Sequence, residues 1–111
     1  MDEEEKMSLE LSINLNGREV KIKDRLELGF QDPLNTEEGT CLPETIEVNK
    51  FYKFRLRGFC IFPLGETIRL FDRDYPKKPL ANIEITQQTV FLLAGSIQTS
   101  GEYYIKGVYK Y

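Results

Sequence analysis

Polar and apolar positions alternate strictly from Ser8. Leu9, Leu11, Ile13 and Leu15 fall on one side, and Ser8, Glu10, Ser12 and Asn14 on the other. A period of two held over eight residues predicts a half-buried β-strand. Asn16-Gly17 follows. A type I′ turn needs positive φ at both central positions, which Asn-Gly supplies readily, so the segment predicts a hairpin. The return run places Val20, Ile22, Leu26 and Leu28 on one face, with Asp24 as a polar intruder that marks a bulge or bend.

Residues 31–45 carry no pattern, and Pro33, Gly39 and Pro43 break regular structure, so a long acidic loop is predicted there. Residues 45–48 and 51–56 read as strand, interrupted at Asn49-Lys50. Residues 59–62 follow Gly58 as another short strand, and Pro63-Leu-Gly65 as a turn. Thr67 to Phe71 is a strand with Ile68 and Leu70 on one face. Residues 73–79 form a second turn, and residues 80–86 place Ala81, Ile83 and Ile85 inside. The run Val90-Phe-Leu-Leu-Ala94 is continuously apolar and predicts a strand buried on both faces. Thr99-Ser-Gly101 then predicts a turn into a last strand, where Tyr103, Ile105, Tyr109 and Tyr111 share a face and Gly107 marks a bend. No helical spacing persists for ten residues, although a single helical turn fits 31–45 or 86–90. The expected class is all-β: one small β-barrel or compact sandwich of about eight mostly antiparallel strands, with little or no helix.

Pro63-Leu-Gly-Glu-Thr-Ile-Arg-Leu-Phe-Asp72, with Leu80-Ala-Asn-Ile-Glu-Ile-Thr86, resembles the barrel segment of PUA-like and ASCH-like domains and of the second domain of translation GTPases. In those folds a turn ending in Gly and an acidic residue opens an I-x-L strand, and the next strand reads A-x-I-x-I. The resemblance covers about a quarter of the chain. It implies a small β-barrel, often RNA-associated, and transfers no functional residue. The stretch is also similar to small uncharacterised bacterial β-proteins.

Length and charge narrow the picture. The 111 residues make one domain, residues 7–111, behind an acidic leader at 1–6 that is expected to be disordered. Of 18 acidic and 15 basic side chains the leader holds four and one, so the rest carries 14 of each sign. A neutral body has no bulk attraction for nucleic acid or an anionic membrane. The two cysteines, Cys41 and Cys60, lack metal or redox spacing and are expected as free thiols in a reducing cytoplasm. No apolar run approaches the roughly 20 residues of a membrane span, and no membrane partner is expected.

Histidine is absent, which removes His-based triads, His-ligated zinc and His acid–base chemistry. Asp72-Arg-Asp74 opens like a calcium loop but continues into Tyr-Pro-Lys-Lys, so a turn capped by an aspartate is expected and no metal site. Neighbouring carboxylates on a loop lack the rigid separation of a glycosidase pair. No P-loop or other cofactor motif is present, and no cofactor is expected. The remaining signal is segregation of charge. Asp32, Glu37 and Glu38 lie in the acidic loop, and Lys50, Lys53, Arg55 and Arg57 interleave with Phe51, Tyr52 and Phe54. Such a strand could track a phosphate backbone, or could simply face aromatics inward and cations to water. The expectation is a non-enzymatic module that binds a protein or nucleic-acid partner through these seven residues. The alternatives are a self-association module pairing through its tyrosine-rich last strand and a histidine-independent enzyme.

Overall fold

The computed structural model describes residues 11–15, 18–30 and 41–111. The leader, the Asn16-Gly17 turn and the segment holding Asp32, Glu37 and Glu38 lie outside the described residues. Every regular element described is a strand: β1 (Leu11–Leu15), β2 (Arg18–Ile22), β3 (Arg25–Leu28), β4 (Phe51–Arg57), β5 (Cys60–Ile61), β6 (Thr67–Asp72), β7 (Ala81–Leu93) and β8 (Ser96–Val108). They form a three-stranded sheet in the order β1-β2-β5 and a five-stranded sheet in the order β3-β6-β7-β8-β4. Both sheets are mixed, because β2 runs parallel to β5 and β3 parallel to β6. The larger sheet is open among the described residues, with β3 and β4 at its edges.

The β1–β2 hairpin holds the expected register, Leu15 pairing with Arg18 across a two-residue connection. At Asp24 the chain bends and changes sheets. Lys23 N–H still donates to Ile61 O at 2.8 Å, whereas Arg25 already pairs with Arg69. Residues 45–48 are not strand, contrary to the pattern reading. Asn49 sits at φ 66° and its N–H donates to Ile105 O, while Lys50 O accepts from Ile105 N. Two residues therefore face one, and the ladder starts only at Phe51.

Period-two burial builds the core as the sequence predicts. Leu26 and Leu28, Ile68 and Leu70, and Ala81, Ile83 and Ile85 point inward from β3, β6 and β7, and Tyr103 and Ile105 from β8. Phe54 of β4 is fully buried, with its ring edge-on to Phe62 at 5.4 Å. Cys60 joins the same core, so β5 packs its sheet against the larger one.

Three expectations fail in the C-terminal half. Residues 90–93 end β7, but Val90, Leu92 and Leu93 are exposed. The turn lies at Ala94-Gly95, both in the left-handed region at φ 51° and 79°, as a two-residue hairpin connection requires. β8 runs straight through Thr99-Ser-Gly101, and it lies between β7 and β4, so the tyrosine-rich strand is no edge. Tyr109 and Tyr111 stack on each other beyond the strand, their hydroxyls donating to Asn82 Oδ1 and Pro79 O.

Tyr103 carries a testable cost. Its hydroxyl is buried without a hydrogen-bond partner among the described residues, and burial, with a smaller repulsion from Tyr52, pushes the phenol well above its ordinary range. Tyr103→Phe is expected to stabilise the fold by about 1 kcal/mol at neutral pH, since an orphaned buried hydroxyl is penalised. The folded pKa is raised, so the neutral phenol's contribution is complete below the unfolded value of about 10 and is lost as pH climbs above it. Urea titrations at pH 7 and pH 11 check both parts: the variant should lose less stability between them than the parent.

Candidate binding surface

Side chains of alternate parity on β4 point to opposite faces. Tyr52, Phe54 and Leu56 turn toward the core; Phe51, Lys53, Arg55 and Arg57 turn outward. The backbone follows the same parity. Gly58 N–H donates to Ile97 O at 2.8 Å, and Lys50 O accepts from Ile105 N at 3.0 Å. The hydrogen-bonded pairs with β8 are therefore the even residues of β4, in the antiparallel alternation. The N–H and C=O groups of Phe51, Lys53, Arg55 and Arg57 face away from β8. Among the described residues no strand pairs with that side.

The outward face continues across β8 and β7. Phe51, 57% exposed, packs its ring 4.8 Å from that of Tyr104. Tyr104 in turn donates its hydroxyl to Asn49 Oδ1. Lys53 lies opposite Glu102, Arg55 opposite Ser100, and Arg57 opposite Gln98. The guanidinium of Arg55 sits 5.8 Å from the ring centroid of Phe91, on β7. Thr86 Oγ1 donates to Glu102 Oε1 at 2.9 Å, which fixes the one carboxylate in the row. A hollow of about 250 Å³ opens here, lined by Lys53, Arg55, Gln87, Thr89, Ser100 and Glu102 among others. Gln98, only 3% exposed, has no partner for its Oε1 among the described residues.

Lys50, Lys53 and Arg57 are exposed, and Arg55 is half-buried. The structure thus brings Lys53, Arg55 and Arg57 together on one edge, with Lys50 in the bulge that precedes it. Whether Asp32, Glu37 and Glu38 join them lies outside the described residues. No family, curated protein or solved structure matches the chain.

Glu102, Gln98, Ser100 and Phe91 belong to this surface and were not singled out by sequence. They come from β7 and β8, far downstream in the chain, and only the β4–β8 and β7–β8 registers bring them alongside the cations. Asp72 and Asp74 form a turn, as expected: Asp74 N–H donates to Asp72 Oδ1 at 2.9 Å. Among the described residues no three potential ligands cluster around a metal position, and no helix is long and apolar enough to cross a membrane.

Proposed function

We propose that the protein is a non-enzymatic binding module that takes an extended, acidic segment of a partner protein along the β4 edge. One observation carries the reading: the residues whose backbone groups face the open edge are the ones that present the cations. An added strand would draw affinity from main-chain hydrogen bonds and specificity from side chains on alternate positions. Acidic residues on its outward face would lie beside Lys53, Arg55 and Arg57, as cross-strand neighbours do. The all-strand architecture with two sheets sharing one core supports a small binding scaffold.

A peptide alternating glutamate with valine or threonine tests this. It should perturb the backbone amides of residues 51, 53, 55 and 57 in an NMR titration and weaken as salt is raised. Lys53→Glu with Arg57→Glu should weaken binding at least about tenfold, since two favourable contacts become repulsive. Unchanged affinity in the double variant sinks the reading.

A second reading rests on the rings of Phe51, Tyr104 and Phe91 that flank the cations. Single-stranded nucleic acid binds such faces by stacking bases on aromatics beside a cationic track. A short oligothymidine or oligouridine would then move the ring resonances of Tyr104 and Phe91, leaving the β4 edge amides in place.

A further inference from the structure

Besides the edge strands β3 and β4, the end of β7 beyond the reach of β6 is open, and it differs from β4 in carrying no charge. β6 pairs with β7 only over Ala81 to Glu84, and Leu64 bridges Ile85. From residue 87 to 93 no described strand pairs with β7 on that side, although the Gln88 side chain bonds the Phe62 backbone. No charged residue occurs between Glu84 and Glu102 in the sequence. Natural sheet edges are commonly guarded by Lys, Pro or inward charges, as β4 is by its cations, and this one carries none.

Parity shows which groups are offered. Ile97, Thr99 and Gly101 bond toward β4, so Gln98, Ser100 and Glu102 bond toward their β7 partners Phe91, Thr89 and Gln87. The backbone groups of Gln88, Val90 and Leu92 therefore point to the open edge. Leu92 is 70% exposed, with Val90 on the same face, and Leu93 is exposed on the opposite face.

Hydrocarbon does not satisfy this edge, because unpaired N–H and C=O groups have no partner in a bilayer core. A partner strand satisfies it. An uncharged strand also suits its own copy, since a two-fold axis brings like residues together and here sets no like charges face to face. We propose that residues 87–93 of β7 pair antiparallel with the same residues of a second copy, about a two-fold axis at Val90. The two five-stranded sheets become one continuous sheet, and Val90 and Leu92 are covered on one face, Leu93 on the other. A seven-residue strand spans only about 23 Å. That contact is smaller than the roughly 800 Å² per partner of a standard interface, so the dimer dissociates on dilution.

Sedimentation equilibrium over a concentration series is expected to show a reversible monomer–dimer equilibrium. Leu92→Lys should raise its dissociation constant at least tenfold. Val48→Lys, which also replaces an exposed aliphatic side chain but precedes β4 at the far edge of the sheet, should leave it unchanged. Amide exchange on the wild-type chain gives an arm independent of any variant's folding. The amides of Gln88, Val90 and Leu92 should slow with concentration, whereas those of Thr89 and Phe91, already bonded to β8, should not. A monomer at every concentration overturns the proposal, as does a dimer that Leu92→Lys leaves intact. Concentration-dependent protection at Lys53 and Arg55 would overturn it too, by placing the contact on β4.

Discussion

Gly101→Ala is expected to cost about 3 kcal/mol, read as a lower urea midpoint with an unchanged slope. A Cβ on Gly101 would stand 2.0 Å from the backbone carbonyl oxygen of Gln87 and 2.8 Å from the Phe54 ring. The ring belongs to the packed cluster of Phe54, Phe62 and Tyr103 and has little room to move. The carbonyl belongs to β7 where its pairing with β8 shifts register, between Ile85 and Gln87. Relief therefore requires either side of the β7–β8 ladder to part. Gly107→Ala is the control. A Cβ on Gly107 would meet nothing within 4 Å, so the change should be neutral or slightly stabilising through the unfolded chain. Equal losses at the two positions would refute the close-approach explanation.

Thr99→Val should cost roughly 2 to 4 kcal/mol, because it strands two backbone groups at about 1 to 3 kcal/mol each. Thr99 is fully buried. Its hydroxyl donates to Gly58 O at 2.7 Å and accepts from Cys60 N–H at 3.1 Å. One side chain on β8 thereby substitutes for a strand partner where the chain leaves β4 and enters β5. Valine keeps the volume and removes both bonds. Thr99→Ser keeps both bonds and should recover most of the loss, which separates hydrogen bonding from packing. Gln88 plays a similar part, accepting from Phe62 N–H at 2.9 Å and donating to Phe62 O at 2.8 Å. Denaturant titration of the three Thr99 forms, with amide exchange at Cys60, is the measurement.

These two positions also show where sequence reading stopped. Alternation located β3, β6 and the first half of β7, because Leu26, Ile68 and Ile83 sit where one sheet face is covered along its whole length. Asp24 read correctly as a bend, since a charge cannot continue an apolar face. Thr99-Ser-Gly101 read as a turn because Thr, Ser and Gly are turn formers. In the fold, Gly101 clears a carbonyl and a ring that belong to other strands, and Thr99 serves backbone groups 39 and 41 residues away. No local rule reports such demands. Residues 90–93 read as doubly buried because apolarity does not say whether a neighbouring strand extends far enough to cover it, and β6 does not. The cationic row on β4 was legible from spacing alone. Its position at an edge, and the company of Phe91, Tyr104 and Glu102, depended on pairing with β8.

The central place of β8 has a consequence for biosynthesis. β4 pairs with β8 alone among the described strands, and β7 finds its longest partner there. Residues 51–57 thus leave the ribosome about 45 residues before the strand that receives them, well ahead of any stable sheet. Until residues 96–108 have been made, Phe54 has no Tyr103 to pack against and Cys60 no Thr99 hydroxyl. A nascent chain halted before Ser96 should therefore stay sensitive to protease and become resistant in one step once residue 108 clears the exit tunnel.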